Sequence, residues 1–192
     1  MKIKVSPTVW IMAAALMLSE ASQIKNIAVI LLAALLHEAG HLVAAAIMKI
    51  PVKCIQIDIF GAYIRTDHPS CSYIKEAVLC LAGPVANIFS AAFLPQLLSI
   101  DDPLFTISSA ALAVINLLPI KSFDGGRALS CIMLRFLPPD AVSAVTDILS
   151  FVCIFILWSI SVYFIMRVGA YLSLFVFSAA LFAKMFLPYA SR

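Results

Sequence analysis

Of the three histidines in this 192-residue chain, two fall in one pentapeptide, His37-Glu38-Ala39-Gly40-His41. Residues four apart on a helix share a face, so two imidazoles at this spacing can reach one ion. Nitrogen ligands of this kind suit zinc, and Glu38 between them is placed to act as general base toward water that such an ion activates. The bare pattern also arises by chance in soluble helices. Here residues 31–36 and 42–47 are apolar on both sides of it. Ionisable groups buried in such a run cost on the order of a few kcal/mol unless paired or solvated, and they mark function by default. A polar cluster that only bonds helix to helix would explain neither the spacing nor the acid between the histidines.

A catalytic zinc site usually takes three protein ligands and one open position. His68, the remaining histidine, sits in a polar stretch beside Pro69. Asp124 is the better candidate, closing the stretch Asn116-Leu117-Leu118-Pro119-Ile120-Lys121-Ser122-Phe123-Asp124-Gly125-Gly126. Pro119 interrupts a helix there, and Gly125-Gly126 permits an unusual turn beside the acid. Taken alone, Asp124 reads equally well as the N-cap of a helix starting near Arg127.

The elements that must position these groups belong to a membrane protein. The chain is 64% hydrophobic and 12% charged, with a mean hydropathy of +1.08. Water-soluble domains keep roughly a quarter of their residues charged. Six apolar segments are candidate crossings: 5–18, 27–50, 77–100, 104–120, 144–166 and 168–187. The first resembles a signal peptide, with Lys2 and Lys4 ahead of it and Ser19-Glu20-Ala21 behind, but residues 19–25 read as a loop feeding the next span, which favours a retained helix. With a cytoplasmic N-terminus, that side gathers Lys2, Lys4, Lys49, Lys53, Arg65, Lys75, Lys121, Arg127, Arg135, Lys184 and Arg192. The far side keeps only Lys25 and Arg167. The positive-inside rule therefore places both termini in the cytoplasm. A net charge of +3, dispersed along the chain, gives no footprint for nucleic acid.

Residues 52–66 differ in character. Ile55, Ile57 and Ile59 alternate with Gln56 and Asp58, a strand period, and Gly61 follows as a break. A small β-hairpin or re-entrant element is expected after the second crossing, packed on protein or lining a watery cavity. Its edge would suit an extended peptide. Phe60 beside it is either a gate toward the site or a packed aromatic. Five scattered cysteines, with no C-x-x-C pair, read as small apolar side chains.

H-E-x-x-H within a span, followed by N-x-x-P-x-x-x-x-D-G from Asn116 to Gly125, resembles the site-2 protease family of intramembrane zinc metalloproteases. Gly83-Pro84-Val85-Ala86-Asn87 resembles a third signature of that family, and the resemblance covers roughly residues 1–137. The Lys2-Ile3-Lys4 start and the segment Leu35-Leu36-His37-Glu38-Ala39-Gly40-His41-Leu42 are similar to its stage IV sporulation branch. Leu117 and Phe123 depart from the common pattern and remain apolar. No PDZ insertion separates the spans, and no CBS module follows them in these residues.

The resemblance implies one zinc ion held by His37, His41 and Asp124, with Glu38 catalytic. It offers Asn87 and Asn116 for orienting the substrate backbone, although an interhelical amide bond explains either as well. The expected fold is an all-α polytopic membrane protein of about six transmembrane helices. It forms one protease domain over 1–192, with a catalytic core to about residue 137 and a helix pair over about 144–187. The implied activity is peptide-bond hydrolysis in a membrane-associated protein, such as a sigma-factor precursor or an anti-sigma factor, at a bacterial cell membrane. A regulatory membrane partner or a second copy of the chain would be further partners. A silent scaffold is opposed by the intact Glu38. A metal transporter is opposed by the scarcity of ionisable groups elsewhere in the spans.

Overall fold

The computed structural model describes residues 2–5, 21–50, 54–58, 61–65, 72–98, 103–168 and 172–186. The chain divides into two compact units, Met1–Leu117 and Leu118–Arg192.

In the first unit, strands β1 (Lys2–Val5), β2 (Cys54–Asp58) and β3 (Gly61–Arg65) form a sheet in that order. β1 runs parallel to β2, and β2 pairs antiparallel with β3 in the register Cys54 to Arg65 and Asp58 to Gly61. Helices α1 (Ala21–Ile47), α2 (Tyr73–Leu98) and α3 (Pro103–Leu117) pack on one another.

The burial pattern of α1 is inverted relative to a soluble helix. Ala33, His37, His41 and Ala45 form its buried stripe, one residue every four, while Leu35, Val43 and Ile47 are exposed. Small and polar residues therefore face protein and large aliphatic ones face outward, the arrangement a lipid solvent selects. In α3 the corresponding stripe is Phe105, Ser109 and Ala113. α1 ends in a Schellman turn: Ile50 N–H donates to Ala45 O at 2.9 Å and Lys49 N–H to Ala46 O at 3.1 Å. Lys49 takes the left-handed position with φ 54°, where glycine is usual. Ile50 packs back on Ala45 and Leu79, and Pro51 prevents continuation.

The second unit holds α4 (Asp124–Met133), α5 (Pro139–Val168) and α6 (Leu172–Phe186). α5 buries Val142, Thr146, Ser150 and Ile154 on one stripe. Its hydroxyls bond back into their own helix, Thr146 to Val142 O at 2.8 Å and Ser150 to Thr146 O at 2.6 Å. They are thereby satisfied without water. Ser161 of α5 meets Ser178 of α6 at 3.3 Å, both fully buried, a close approach of small residues.

Three helices have the length and composition to cross a bilayer, over Ile24–Ile47, Tyr73–Leu97 and Pro139–Arg167. α3 and α6, at 15 residues each, rise about 22 Å against a hydrocarbon core of about 30 Å. The fourth expected crossing, 104–120, thus leaves the helix at Leu117, two residues before Pro119, because the residue preceding a proline is driven from helical geometry. The first, 5–18, lies outside the described residues apart from Val5, in β1.

Candidate metal centre

The H-E-x-x-H turn sits mid-way along α1, with His37 and His41 buried and Glu38 half-buried. The two Nε2 atoms lie 3.3 Å apart, and the rings stand nearly perpendicular, at 80°. Two nitrogens bound to one tetrahedral zinc at about 2.0–2.1 Å stand about 3.3 Å apart. The pair is therefore spaced as ligands of a common ion.

The opposite ring nitrogens are tied to α2. His41 Nδ1 is 2.8 Å from the backbone oxygen of Leu79. A carbonyl only accepts, so Nδ1 carries the proton and Nε2 keeps its lone pair for a metal. His37 Nδ1 is 3.2 Å from the side-chain nitrogen of Asn87, which is fully buried.

Two glycines permit this approach. A Cβ on Gly40 would lie 2.6 Å from Ala86 Cβ and 2.7 Å from Ala82 O. Gly40 thus lets α1 and α2 meet backbone to backbone. A Cβ on Gly83 would run into His41 Nε2 and lie 2.8 Å from His37 Nε2. The absence of a side chain at 83 keeps the space over both Nε2 atoms clear. Converging Nε2 atoms, tethered Nδ1 atoms and this cleared space fit a zinc ion.

Asp124 is in the second unit, buried, as the first residue of α4. The cap is Phe123, extended at φ −107° and ψ 164° and making no side-chain cap bond. Asp124 is therefore not the N-cap that its sequence context also allowed. The turn ahead of it is tight: Phe123 N–H donates to Ile120 O at 2.8 Å, and a Cβ on Gly126 would strike the backbone of Ile120. This loop is anchored on α5, where Lys121 N–H donates to Ser150 Oγ at 2.8 Å. Lys121 Nζ also donates to Asp147 Oδ1 at 2.9 Å. Asp124 lies at the positive end of the α4 dipole, and its Oδ1 is 4.0 Å from Arg127 Nη1.

No family model matches the chain. Over 145 residues it is 31% identical to stage IV sporulation protein FB of Bacillus subtilis (strain 168), covering 72% of this chain and 50% of that protein. The chain thus spans half the length of that relative. The fold of this chain is similar to that of the site-2 protease from Methanocaldococcus jannaschii, with a TM-score of 0.64 at 17% identity, over 95% of this chain and 88% of that one.

The first unit brings His37, His41 and Asn87 together. Asn116, on α3, donates to Leu112 O of its own helix at 3.0 Å. Phe60 and His68 lie outside the described residues. Sequence reasoning missed Gly83 and the carbonyl of Leu79 as neighbours of the imidazoles. The available signal was the four-residue spacing of Gly83 and Asn87, matching that of His37 and His41.

Proposed function

We propose that the chain is an intramembrane zinc metalloprotease that hydrolyses a peptide bond of a membrane-associated protein. The observation that carries this reading is the pair of Nε2 atoms 3.3 Å apart on an apolar helix, with Glu38 next to His37. His37 and His41 hold one zinc ion, and Asp124 supplies the third ligand. Its burial and its place at the start of α4, after a loop fixed at Lys121, support that role. Zinc, when bound, acts as a Lewis acid that acidifies water and polarises the scissile carbonyl. Glu38 takes the proton of the attacking water on its carboxylate and delivers it to the leaving amine. The substrate must enter extended, because a helical segment holds its carbonyls in its own hydrogen bonds. The β2–β3 pair offers a strand edge to such a peptide.

Both units act as one protease domain, with six crossings and cytoplasmic termini in a bacterial cell membrane. Co-expression with tagged candidates, including a membrane-bound sigma-factor precursor and an anti-sigma factor, tests the reading. Glu38→Gln should abolish cleavage and retain zinc, whereas Asp124→Asn should lose cleavage and weaken zinc binding. Cleavage by Glu38→Gln at the wild-type rate would remove the catalytic assignment.

A further inference from the structure

Asn87 lies on the side of His37 away from the proposed ion, and its amide is oriented in a way the ion does not allow. As placed, Nδ2 faces His37 Nδ1 at 3.2 Å, so Nδ1 accepts and the ring proton belongs on Nε2. Nε2 is the atom turned toward His41, and an N–H there has no lone pair to give a metal. Oδ1 of the same amide is buried and has no hydrogen-bond partner among the described residues. A buried oxygen left in this way costs on the order of 1–3 kcal/mol.

One rotation removes the conflict with the ion and gives the oxygen a donor, turning Nδ2 into the position Oδ1 now holds. The two ends of an amide are nearly equal in shape, so a half-turn about Cβ–Cγ exchanges them. Oδ1 then occupies the position 3.2 Å from His37 Nδ1 and accepts from a proton carried there. His37 Nε2 is freed as a ligand, and the orphaned oxygen gains a donor. His41 needs no such adjustment, because the carbonyl of Leu79 accepts in every case.

We infer that Asn87 is a positioning residue that sets the tautomer of His37, its carbonyl accepting the Nδ1 proton when His37 Nε2 binds metal. The inference rests on the zinc reading above. It replaces the substrate-orienting role expected for Asn87 with one directed at a ligand. Asparagine can meet either tautomer, aspartate can meet only the metal-binding one, and leucine can meet neither.

The test is zinc affinity, measured by chelator competition on detergent-purified full-length protein, with helicity and thermal midpoint recorded on the same samples. Asn87→Leu should bind zinc 10–100-fold more weakly than wild type, the range for loss of an outer partner of a metal-bound histidine. Asn87→Asp should restore binding to within about threefold of wild type, as a carboxylate–histidine–zinc arrangement would. A purely structural amide would not be rescued by a buried carboxylate. Should Asn87→Leu fail to fold, Asn87→Ala removes the amide without adding bulk and takes its place beside the aspartate variant. Zinc binding by folded Asn87→Leu equal to wild type overturns the inference, as does folded Asn87→Asp binding more than tenfold more weakly. If wild type binds no more zinc than His37→Ala, the metal reading and this inference fall together. If wild type binds and Asn87→Leu binds equally, only the inference falls.

Discussion

Gly83→Ala should expel zinc while leaving the helices standing. A Cβ at this position lies 2.8 Å from His37 Nε2 and 2.7 Å from His41 Cε1, where ordinary contact begins at 3.4 Å. His37 must therefore retreat by about 0.6 Å and His41, which the Cβ meets more closely, by more, several times the roughly 0.2 Å tolerance of a metal–ligand bond. They cannot retreat freely, since the Nδ1 atoms are tied to Leu79 and Asn87. Zinc affinity should fall at least 100-fold, on the order of 2.7 kcal/mol, and cleavage should fall with it. The backbone effect has the opposite sign. Alanine in a helix interior is favoured over glycine by roughly 0.5–1 kcal/mol, which offsets part of the roughly 1–3 kcal/mol that overpacking costs, so the thermal midpoint of the chelator-treated protein should fall only slightly. Chelator competition and thermal unfolding on one preparation separate the two effects. Val85→Leu, at an outward-facing position, serves as the control for added bulk on α2. Folded Gly83→Ala binding zinc within threefold of wild type would refute the reasoning about the cleared space.

Further outcomes follow from the same geometry. Lys49→Gly should stabilise the protein by about 0.5–1 kcal/mol in detergent unfolding, because the left-handed position closing α1 strains any side chain but is open to glycine. Ser150→Ala removes the acceptor of Lys121 N–H and should cost about 1–2 kcal/mol, with zinc affinity reduced less than in Asp124→Asn. Asp147→Asn breaks an ion pair whose partners are about half exposed, so its effect on unfolding should stay under about 1 kcal/mol and fade in high salt. Leu35→Lys places a charge on an outward face of α1. It should impair insertion by about 3 kcal/mol, seen as a smaller membrane-inserted fraction with normal zinc binding in whatever inserts.

The histidine pair was legible in the sequence because it depends on one helix only. Spacing of four fixes a shared face whatever surrounds it, and the apolar flanks marked the helix as a span. The same argument failed at the ends of elements. Residues 104–120 have span-like composition, yet α3 stops at Leu117, since Pro119 acts through chain geometry and hydropathy does not register it. The helix at 124–133 was foreseen only as something beginning near Arg127. Its apolar face is too short to separate from the surrounding run.

What periodicity cannot reach is the register between helices. That Asn87 meets His37 and Leu79 O meets His41 depends on how far α1 slides along α2, and neither helix records that distance alone. It is set by pairs: Gly40 admits Ala82 and Ala86, and Gly83 admits the two imidazoles. A slide of one residue, about 1.5 Å, would bring a side chain against Gly40 or over the Nε2 atoms. The two glycines thus act as opposed stops, and the polar contacts between them are possible at one register only. In a bilayer, where apolar burial gives helices little reason to prefer one alignment over another, such small-residue contacts determine where the chemistry sits. Gly40→Ala should accordingly damage zinc binding through the α1–α2 interface, without touching either histidine.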